Sequence, residues 1–345
     1  MKSWINKIFM KTGWLYEISF IRPILLVLLV SYHAFAPFCG AWELPTGIEP
    51  NYIYKWIALF SRAFRLEAFV FVSGYIFAMQ VIQKKKFTSL KQLMYSKFIR
   101  LIIPCWIFGL IYWALFRTAH PVKILTGIGH LWYLPCLFWC FLLFYFISKC
   151  KFKGTNVFVT LVILCGLSFI PLPFQLNRTM YYMLFFYLGG EFWKHTTEIK
   201  QHANIRNIII GSIVFLSLLI SVNIYMEFYQ SIINDVGYVE KAFYLATNNL
   251  LKAILAFVGI LTLFLIASIY TRNHLLGKWI IDIGVLGYGV YIFHQFILRW
   301  MYYNTALSET LNGGLLPWVG LVTALLLSCL LTILLRKFKI GRKLL

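Results

Sequence analysis

The feature that most constrains this chain is a series of apolar segments, each about as long as a helix that crosses a bilayer. Such a helix needs about 20 apolar residues to cross roughly 30 Å of hydrocarbon. Ten segments of this kind occupy residues 20–38, 57–82, 98–116, 131–148, 155–173, 179–194, 207–226, 250–270, 281–303 and 315–335. The sequence therefore predicts an all-α, polytopic membrane protein with about ten transmembrane helices.

Composition agrees with a protein that lies in a bilayer. Of the 345 residues, 61% are hydrophobic and 12% are charged, which is too little charge to cover a soluble surface. The net charge of +21 would indicate nucleic acid in a soluble protein, but here Lys and Arg stand in short blocks between apolar segments. Blocks at such positions are anchors that face anionic headgroups. We expect lipid and no nucleic acid as a partner, and one membrane domain over residues 1–345.

The positions of the basic residues predict the orientation. The two tails and the even-numbered gaps, counted with Arg100 and Lys194 at the adjoining span ends, hold 22 Lys and Arg. The opposite side has nine, in the odd-numbered gaps and the outer parts of the spans, and Arg22 lies inside the first span. Because basic residues are enriched in cytoplasmic loops, we expect both termini in the cytoplasm and the protein in the inner membrane. The cytoplasmic set includes Lys2, Lys7 and Lys11 before the first span and Lys149, Lys151 and Lys153 after the fourth.

The cysteines do not predict a covalent or metal framework. There are seven, an odd number, most lie inside apolar segments (Cys150 follows the fourth), and no two form a Cys-x-x-Cys pair. This pattern indicates neither a set of disulfides nor a zinc site. We therefore expect no bound metal.

Ionisable side chains inside the spans are functional candidates, because a charge in hydrocarbon is costly unless it faces a polar cavity. In the first span, Arg22 and His33 are 11 residues apart. That spacing places them on one helix face, about 16 Å apart along the axis. The alternative is that Arg22 reaches the interface and His33 only hydrogen-bonds a neighbouring helix.

The second span carries a charged group at its outer end. Arg62 and Arg65 are three residues apart and share a face, and Glu67 lies deeper, at roughly the depth of His33. The alternative for these residues is an intramembrane ion pair between Glu67 and an arginine. Gly74 would then serve only as a site of close helix packing.

Further candidates lie near the other spans. Lys97 and Arg100, at the cytoplasmic mouth of the third span, are predicted to hold the phosphates of a nucleotide-bearing donor, or else to be plain anchors. His130 and Trp132 open the fourth span on the outer side, and His294 lies in the middle of the ninth. For the aromatic residues the alternative is an interfacial belt, and for His294 it is a satisfied core histidine.

Together these segments resemble bacterial acyltransferase family 3, membrane proteins of ten helices that O-acylate cell-surface and periplasmic carbohydrates. The resemblance rests, in chain order, on Arg22-x10-His33, the aromatic-rich segment ending in Ser73-Gly74-Tyr75, Lys97-x-x-Arg100, His130-Leu131-Trp132-Tyr133 and Tyr291-x-x-His294. Phe64-Arg65-x-Glu67 is most similar to the branch that includes periplasmic glucan succinyltransferases. Lys97 departs from the family pattern, which has arginine there, and lysine binds phosphate less specifically.

The resemblance implies transfer of an acyl group, with acetyl expected, from cytoplasmic acyl-CoA to a hydroxyl of an exported glycan or lipid-linked sugar. His33 is the expected general base or nucleophile, with Glu67 and Arg65 as catalytic partners. Arg22, Lys97 and Arg100 are expected to bind the donor, and Arg62, His130, Trp132 and His294 the acceptor. Acyl-CoA would be a co-substrate, with no bound cofactor. The alternative is a transporter or flippase for a glycan or its lipid carrier, which also needs a charge-lined path.

Overall fold

The computed structural model describes residues 16–87, 89–117, 119–149, 154–233, 237–273 and 276–345. These residues form helices and connecting loops without a strand. The all-α prediction is confirmed for them. The predicted cytoplasmic residues Lys2, Lys7, Lys11, Lys151 and Lys153, together with Cys150, lie outside the described residues.

The longer helices follow the apolar segments of the sequence. They are α1 (Tyr16–Ala34), α2 (Tyr52–Arg62), α3 (Arg65–Ala78), α4 (Leu90–Lys97), α5 (Ile103–Phe116), α6 (Tyr133–Lys149), α7 (Gly154–Leu167), α8 (Leu176–Lys194), α9 (Ile205–Ile232), α10 (Tyr238–Asn273), α11 (Lys278–Tyr303), α12 (Leu316–Leu335) and α13 (Lys339–Leu344). Two π-helical segments, Met79–Gln83 and Phe98–Ile102, continue α3 and join α4 to α5, and a 3₁₀ turn, Gly129–Trp132, precedes α6. Asparagine side chains cap α2 and α9, where Asn51 and Asn204 accept from the backbone N–H three residues on.

Eight helical segments in the described part of the chain are long and apolar enough to cross a membrane. They are Tyr16–Ala34, Tyr52–Gln83, Leu90–Phe116, Gly129–Lys149, Ile205–Ile232, Tyr238–Arg272, Ile280–Tyr303 and Leu316–Leu335. The predicted fifth and sixth spans correspond to α7 and α8, which fall outside this set. The described part of α7 has 14 residues, and α8 has 19 but carries Arg178, Glu191 and Lys194.

The helices group into two compact units, each built from three separate stretches of the chain. Unit 1 comprises Met1–Ala68, Thr197–Gly287 and Met301–Val322, and unit 2 comprises Phe69–Thr196, Tyr288–Trp300 and Thr323–Leu345. In unit 1, α1 packs on α2 and α10, and α9 packs on α10. In unit 2, α8 packs on α6 and α7, and the π segment Phe98–Ile102 contacts α6 and α13.

One end of unit 1 joins three segments that the sequence places on the same side of the membrane. The carboxylate of Glu17, at the start of α1, is buried and pairs with the ammonium of Lys200 at 2.5 Å. The hydroxyl of Thr271 donates to the same carboxylate at 3.3 Å. Arg272 donates to the backbone oxygen of Lys200 at 3.0 Å. The N-terminal end of α1 and the two basic gaps therefore lie together, as the predicted alternation requires.

Contacts at other positions of unit 1 join segments predicted for the outer side. Lys55 forms an ion pair with Glu227, and the hydroxyl of Tyr54 donates to the backbone oxygen of Gly314 at 2.7 Å. All four of these residues lie in gaps that follow an odd-numbered span of the sequence. The alternation of basic and non-basic gaps is thus mirrored by the contacts within this unit.

Glycines let two helices of unit 2 approach closely. A Cβ added at Gly74 of α3 would lie 2.0 Å from the backbone oxygen of Phe186 in α8, and one at Gly189 would lie 2.0 Å from that of Phe71. Neither position accepts a side chain without a shift of backbone. This reciprocal contact is the small-residue packing that brings membrane helices together.

Candidate functional site

His33 lies in the last turn of α1, where aromatic rings enclose its imidazole. The side chain is 8% exposed. Its ring stacks on that of Trp42, with centroids 5.6 Å apart and planes 26° apart, and Tyr32 meets it edge-on at 4.8 Å. The adjacent backbone oxygen of Ala34 accepts a 2.7 Å hydrogen bond from the Tyr302 hydroxyl. The end of α1 that carries His33 is therefore fixed by side chains from elsewhere in unit 1.

Arg65 brings a buried positive charge to the same aromatic group. The side chain is 4% exposed, and its guanidinium carbon lies 3.8 Å from the centroid of the Tyr32 ring. Because Tyr32 also contacts His33, one ring joins the guanidinium to the imidazole. The guanidinium stays charged at all physiological pH values. It is the kind of group that stabilises an oxyanion as it develops.

Arg62 and Arg65 belong to different helices, because the chain breaks between the end of α2 and the start of α3. The interruption was not predicted, and that the two arginines share one face stays a prediction. Phe64, at the break, is buried against Phe215 with ring centroids 5.4 Å apart, and a Cβ on Gly259 would meet its ring at 2.9 Å. The packing of the Phe64 ring against α9 and α10 accounts for the interruption between α2 and α3.

Glu67 has a cationic neighbour from another helix. The ammonium of Lys252, in α10, lies within electrostatic range of both Glu67 and Arg62. A carboxylate inside a span is expected to face such a cation. The charged group of unit 1 therefore draws on three helices, α2, α3 and α10.

Arg22 lies on the same helix as His33, as the sequence predicted. Helix α1 runs without interruption over both residues and contains Pro23. The Cβ of Arg22 lies against α11, where a Cβ on Gly284 would be 3.6 Å away. The rise of 1.5 Å per residue gives about 16 Å between Arg22 and His33 along the axis.

Lys97 and Arg100, in unit 2, take different environments. The Lys97 ammonium lies 3.5 Å from the ring centroid of Phe141, 5.3 Å from that of Phe77 and 5.6 Å from that of Phe87. Arg100 is exposed on the π segment Phe98–Ile102. The wider i→i+5 turn of that segment changes the rotation between the two side chains that an α-helix would give. That the two side chains project together at the cytoplasmic mouth, and that they bind the donor, both stay predictions.

The backbone that carries Arg100 is held by α11. The hydroxyl of Tyr288 donates a 2.7 Å hydrogen bond to the backbone oxygen of Arg100. A π segment leaves some carbonyls without the usual helical donor, and a side chain donor from a neighbouring helix compensates for that. The position of Arg100 is thus determined by a contact within unit 2.

His130 is buried, and both of its ring nitrogens are engaged within the protein. Nε2 donates to the backbone oxygen of Ile292 at 2.9 Å, and Nδ1 lies 3.0 Å from the side-chain amide of Gln295. The hydroxyl of Tyr291 donates to the backbone oxygen of His130 at 2.6 Å. Tyr112 donates to the same Gln295 amide at 3.3 Å. This arrangement favours a role in positioning α11, and the predicted contact with the acceptor stays a prediction.

The remaining predicted residues of unit 2 lie beside His130 or on the surface. His294 is fully buried, its Nδ1 donates to the backbone oxygen of Val290 at 3.0 Å, and its ring centroid lies 5.1 Å from that of His130. Trp132 is half-buried, and the guanidinium carbon of the exposed Arg178 lies 4.2 Å from its ring centroid. The structure therefore brings His130 and His294 together.

The sequence profile of an acyltransferase domain matches residues 15–337, nearly the whole chain. The chain belongs to acyltransferase family 3. Neither the curated proteins nor the solved structures that were compared with it gave a match. Family membership makes the protein an acyltransferase, and together with the eight apolar helices it makes it a membrane protein.

The Ser73-Gly74-Tyr75 segment of this acyltransferase lies in α3, and its contacts are within unit 2. In the Ser73-Gly74-Tyr75 segment, the Ser73 hydroxyl donates to the backbone oxygen of Phe69 at 2.9 Å, and the Tyr75 hydroxyl lies 2.9 Å from that of Thr196. Gly74 forms the close contact with α8. Gly74 and Tyr75 thus serve helix packing in unit 2, which agrees with the packing alternative for Gly74, while Ser73 bonds within its own helix.

Several residues of this acyltransferase escaped sequence reasoning. Lys252 and Gln295 sit within helices and lack a recognisable spacing to the residues they meet. Glu17 lies before the first apolar segment, where a charge is ordinary. Of these residues, only Glu17 could have been found from the sequence. It is a carboxylate at the end of an apolar segment, on the predicted side where two basic gaps supply cations.

Proposed function

We propose that the protein moves an acyl group, with acetyl expected, from cytoplasmic acyl-CoA to a hydroxyl of an exported or cell-surface carbohydrate. Family membership supplies the reaction class. The observation that carries the proposal is the buried imidazole of His33, joined through Tyr32 to the buried guanidinium of Arg65. An imidazole beside a fixed positive charge combines a proton acceptor with a group that stabilises an oxyanion.

In the proposed reaction, the acceptor hydroxyl attacks the thioester carbonyl carbon while the His33 imidazole takes the hydroxyl proton. The new C–O bond forms, and the carbonyl oxygen develops negative charge beside Arg65. The C–S bond then breaks, and the imidazolium returns the proton to the leaving thiolate to give CoA thiol and an ester. Glu67 is proposed to assist in orienting the charged groups around His33.

The donor is proposed to be bound through its phosphates by Arg22, Arg100 and Lys97. Guanidinium groups suit this role because they form bidentate, charge-assisted hydrogen bonds to phosphate oxygens. The pantetheine arm would extend along the roughly 16 Å between Arg22 and His33 on α1. Arg62, His130, Trp132 and His294 are proposed for the carbohydrate side.

We also propose that the protein crosses the inner membrane ten times and that both termini lie in the cytoplasm. The turn before α8 supports crossing by α7 and α8, because the Gln175 amide donates to the backbone oxygen of Thr126 at 3.0 Å. Thr126 belongs to a gap predicted for the outer side. Helix α8, with 19 residues, is about 28 Å long, close to the hydrocarbon thickness.

The test uses purified protein in nanodiscs of neutral lipid, with acetyl-CoA labelled in the acetyl group and a membrane-derived glycan fraction as acceptor. Release of CoA thiol together with label on the glycan is expected. Wild-type protein that releases neither would overturn the proposal.

Direct measurement of CoA binding then separates the donor residues from the others. Arg100→Ala is expected to weaken CoA binding about ten- to hundredfold, because it removes a charge-assisted hydrogen bond. Arg65→Ala is expected to keep CoA binding and to lose turnover. Equal affinity in Arg100→Ala and wild type would exclude the phosphate role of Arg100.

A further inference from the structure

A groove between α9 and α10 of unit 1 has no part in the proposed reaction. Its volume is about 450 Å³, a size typical of ligand sites. Its lining runs from Asn207 to Val214 on α9 and from Leu265 to Val258 on α10, about 10 Å along each axis. The sequence places this end of both helices on the cytoplasmic side. The groove therefore extends through part of the cytoplasmic leaflet, whose hydrocarbon is about half of the roughly 30 Å core.

The walls of the groove are apolar and lie at the depth of the lipid chains. Helices α9 and α10 both contain a segment long and apolar enough to cross a membrane. Two wall residues, Ile210 and Val214, are exposed on the surface of the protein. An apolar face at this depth meets acyl chains rather than water, and an empty groove would forfeit the dispersion contacts of its lining. The walls therefore favour a hydrocarbon chain as the occupant.

One buried hydroxyl distinguishes the groove from an ordinary crease between two helices. Thr262 is 8% exposed and lines the groove opposite Gly211, where an added Cβ would lie 2.5 Å from the Thr262 Oγ1. The hydroxyls of Thr247 and Ser268, also in α10, donate to the backbone oxygen four residues earlier. In the part of the chain that the structure describes, the Thr262 hydroxyl has no hydrogen-bond partner. Because a buried donor without an acceptor costs free energy, the groove suits a ligand that carries an acceptor at this level.

The cytoplasmic mouth of the groove offers donors to a phosphate. His202 lines it, and α9 begins beside it. The side chain of Asn204 accepts from the N–H of Asn207, and the N–H groups of Ile205 and Arg206 precede the first helical hydrogen bonds. The start of a helix of 28 residues also carries partial positive charge, which favours an anion. The exposed guanidinium of Arg206 adds a donor that matches phosphate in charge and geometry.

We infer that this groove binds one phospholipid of the cytoplasmic leaflet. One acyl chain fills the groove, an ester oxygen accepts a hydrogen bond from Thr262, and the phosphate lies at the start of α9 beside Arg206 and His202. The ligand and the site present their groups in the same order, since a phospholipid has its esters a few bonds from its phosphate and its chains after the esters. The site depends on neither the acyl donor nor the acceptor of the proposed function.

A long-chain acyl-CoA also joins a chain to phosphates and is the competing occupant. Its pantetheine arm separates the thioester carbonyl from the phosphates. In the groove, Gly211, which faces Thr262, is only five residues from Arg206, about 8 Å along the axis. That short separation favours the phospholipid.

The test titrates purified full-length protein in detergent with phosphatidylglycerol that carries a photoreactive diazirine in one acyl chain. After illumination, the crosslinked peptides are identified by mass spectrometry. Crosslinks to residues 207–214 and 258–265 are expected to saturate, and an excess of unlabelled phosphatidylglycerol should displace them. Dioleoylglycerol, which lacks the phosphate, and palmitoyl-CoA should displace them at least about tenfold less effectively.

Matched substitutions then locate the site. Ile210→Trp fills the groove and is expected to reduce these crosslinks about tenfold. Ile213→Trp is its control, because Ile213 is similarly exposed on α9, at 59% against 48%, but does not line the groove. Thr262→Val keeps the shape and removes the hydroxyl, so it should weaken binding about three- to tenfold. Thr247→Val, which removes a hydroxyl bonded to its own helix, should leave binding as in wild type.

The outcomes decide between the occupants. Equal crosslinking of the groove in wild type, Ile210→Trp and Thr262→Val would overturn the inference. Displacement by palmitoyl-CoA but not by phosphatidylglycerol would assign the groove to an acyl-CoA and would also overturn it. Arg206→Gln, at an exposed position, keeps the test valid if Ile210→Trp does not fold. It should abolish the advantage of phosphatidylglycerol over dioleoylglycerol, and an unchanged advantage would show that the phosphate does not lie at the start of α9.

Discussion

His33 and His130 are both buried, yet their surroundings give them different chemistry. The ring of His33 packs between Tyr32 and Trp42, and Tyr32 also contacts the buried guanidinium of Arg65. The ring of His130 has each nitrogen held by a neighbour, the backbone oxygen of Ile292 and the amide of Gln295. A general base must be able to accept a proton from its substrate. The two histidines should therefore respond differently to substitution.

The first prediction concerns His33→Ala. It should reduce acyl transfer by about 10²–10⁴-fold, the range that general-base catalysis contributes, while the thermal unfolding temperature stays near that of wild type. The measurement is turnover per folded protein with labelled acetyl-CoA. His120→Ala, which replaces an exposed histidine, is the control and should keep full turnover. A His33→Ala variant with more than roughly a tenth of wild-type turnover would exclude both catalytic roles.

The second prediction concerns His130→Ala. Its removal deletes the hydrogen bonds to the backbone oxygen of Ile292 and to the amide of Gln295, which costs about 1–3 kcal/mol. We expect a lower unfolding temperature in detergent and a turnover per folded molecule close to that of wild type. If stability is unchanged but the KM for the glycan rises, His130 contacts the acceptor, as the sequence alone predicted.

For single residues, the sequence predicted the place on a helix better than the neighbouring side chains. Arg22 and His33 fall on one helix because an apolar run without a break fixes the geometry between them. The interruption between Arg62 and Arg65 was not predicted, because it depends on the burial of Phe64 against other helices. The environment of Lys97 was not predictable, because two of its three phenyl neighbours come from distant positions in the chain.

Among the helices, the crossing of α3 and α8 shows how a sequence pattern is explained by packing. Gly189 lies in the sixth apolar segment of the sequence, and Gly74 lies in a segment that resembles the family. Each glycine sits where the backbone of the other helix leaves no room for a side chain. The sequence reveals the glycines but not their pairing, because helical periodicity carries no information on which helix faces which.

The third prediction is that Gly189→Ala destabilises the protein by about 1–3 kcal/mol, the usual cost of an overpacked site. The added Cβ would lie 2.0 Å from the backbone oxygen of Phe71, which only a shift of the helices can relieve. The measurement is thermal unfolding in detergent. Gly166→Ala, in α7, is the matched control because nothing lies within 4 Å of its added Cβ. Equal unfolding temperatures for the two variants would show that α3 and α8 do not pack this closely.

For the whole molecule, the main regularity is the separation of charge between the two ends of the spans. The sequence predicts it from the uneven distribution of Lys and Arg. The contacts of Glu17 with Lys200, and of Lys55 with Glu227, join segments that this distribution places on a common side. Which side faces the cytoplasm follows from the positive-inside rule alone, since contacts within the protein are the same in either orientation.

The fourth prediction therefore concerns orientation, and with it the direction of transfer. Single cysteines are introduced at Lys85, Arg272, Glu49 and Lys241 in a Cys39→Ser background, and intact cells are treated with a membrane-impermeant maleimide. Glu49→Cys and Lys241→Cys should be labelled in intact cells, because both positions follow odd-numbered spans. Lys85→Cys and Arg272→Cys should be labelled only after permeabilisation, since the basic gaps face the cytoplasm. Labelling of Lys85→Cys from outside would reverse the orientation, and it would leave Arg100 without access to cytoplasmic acyl-CoA.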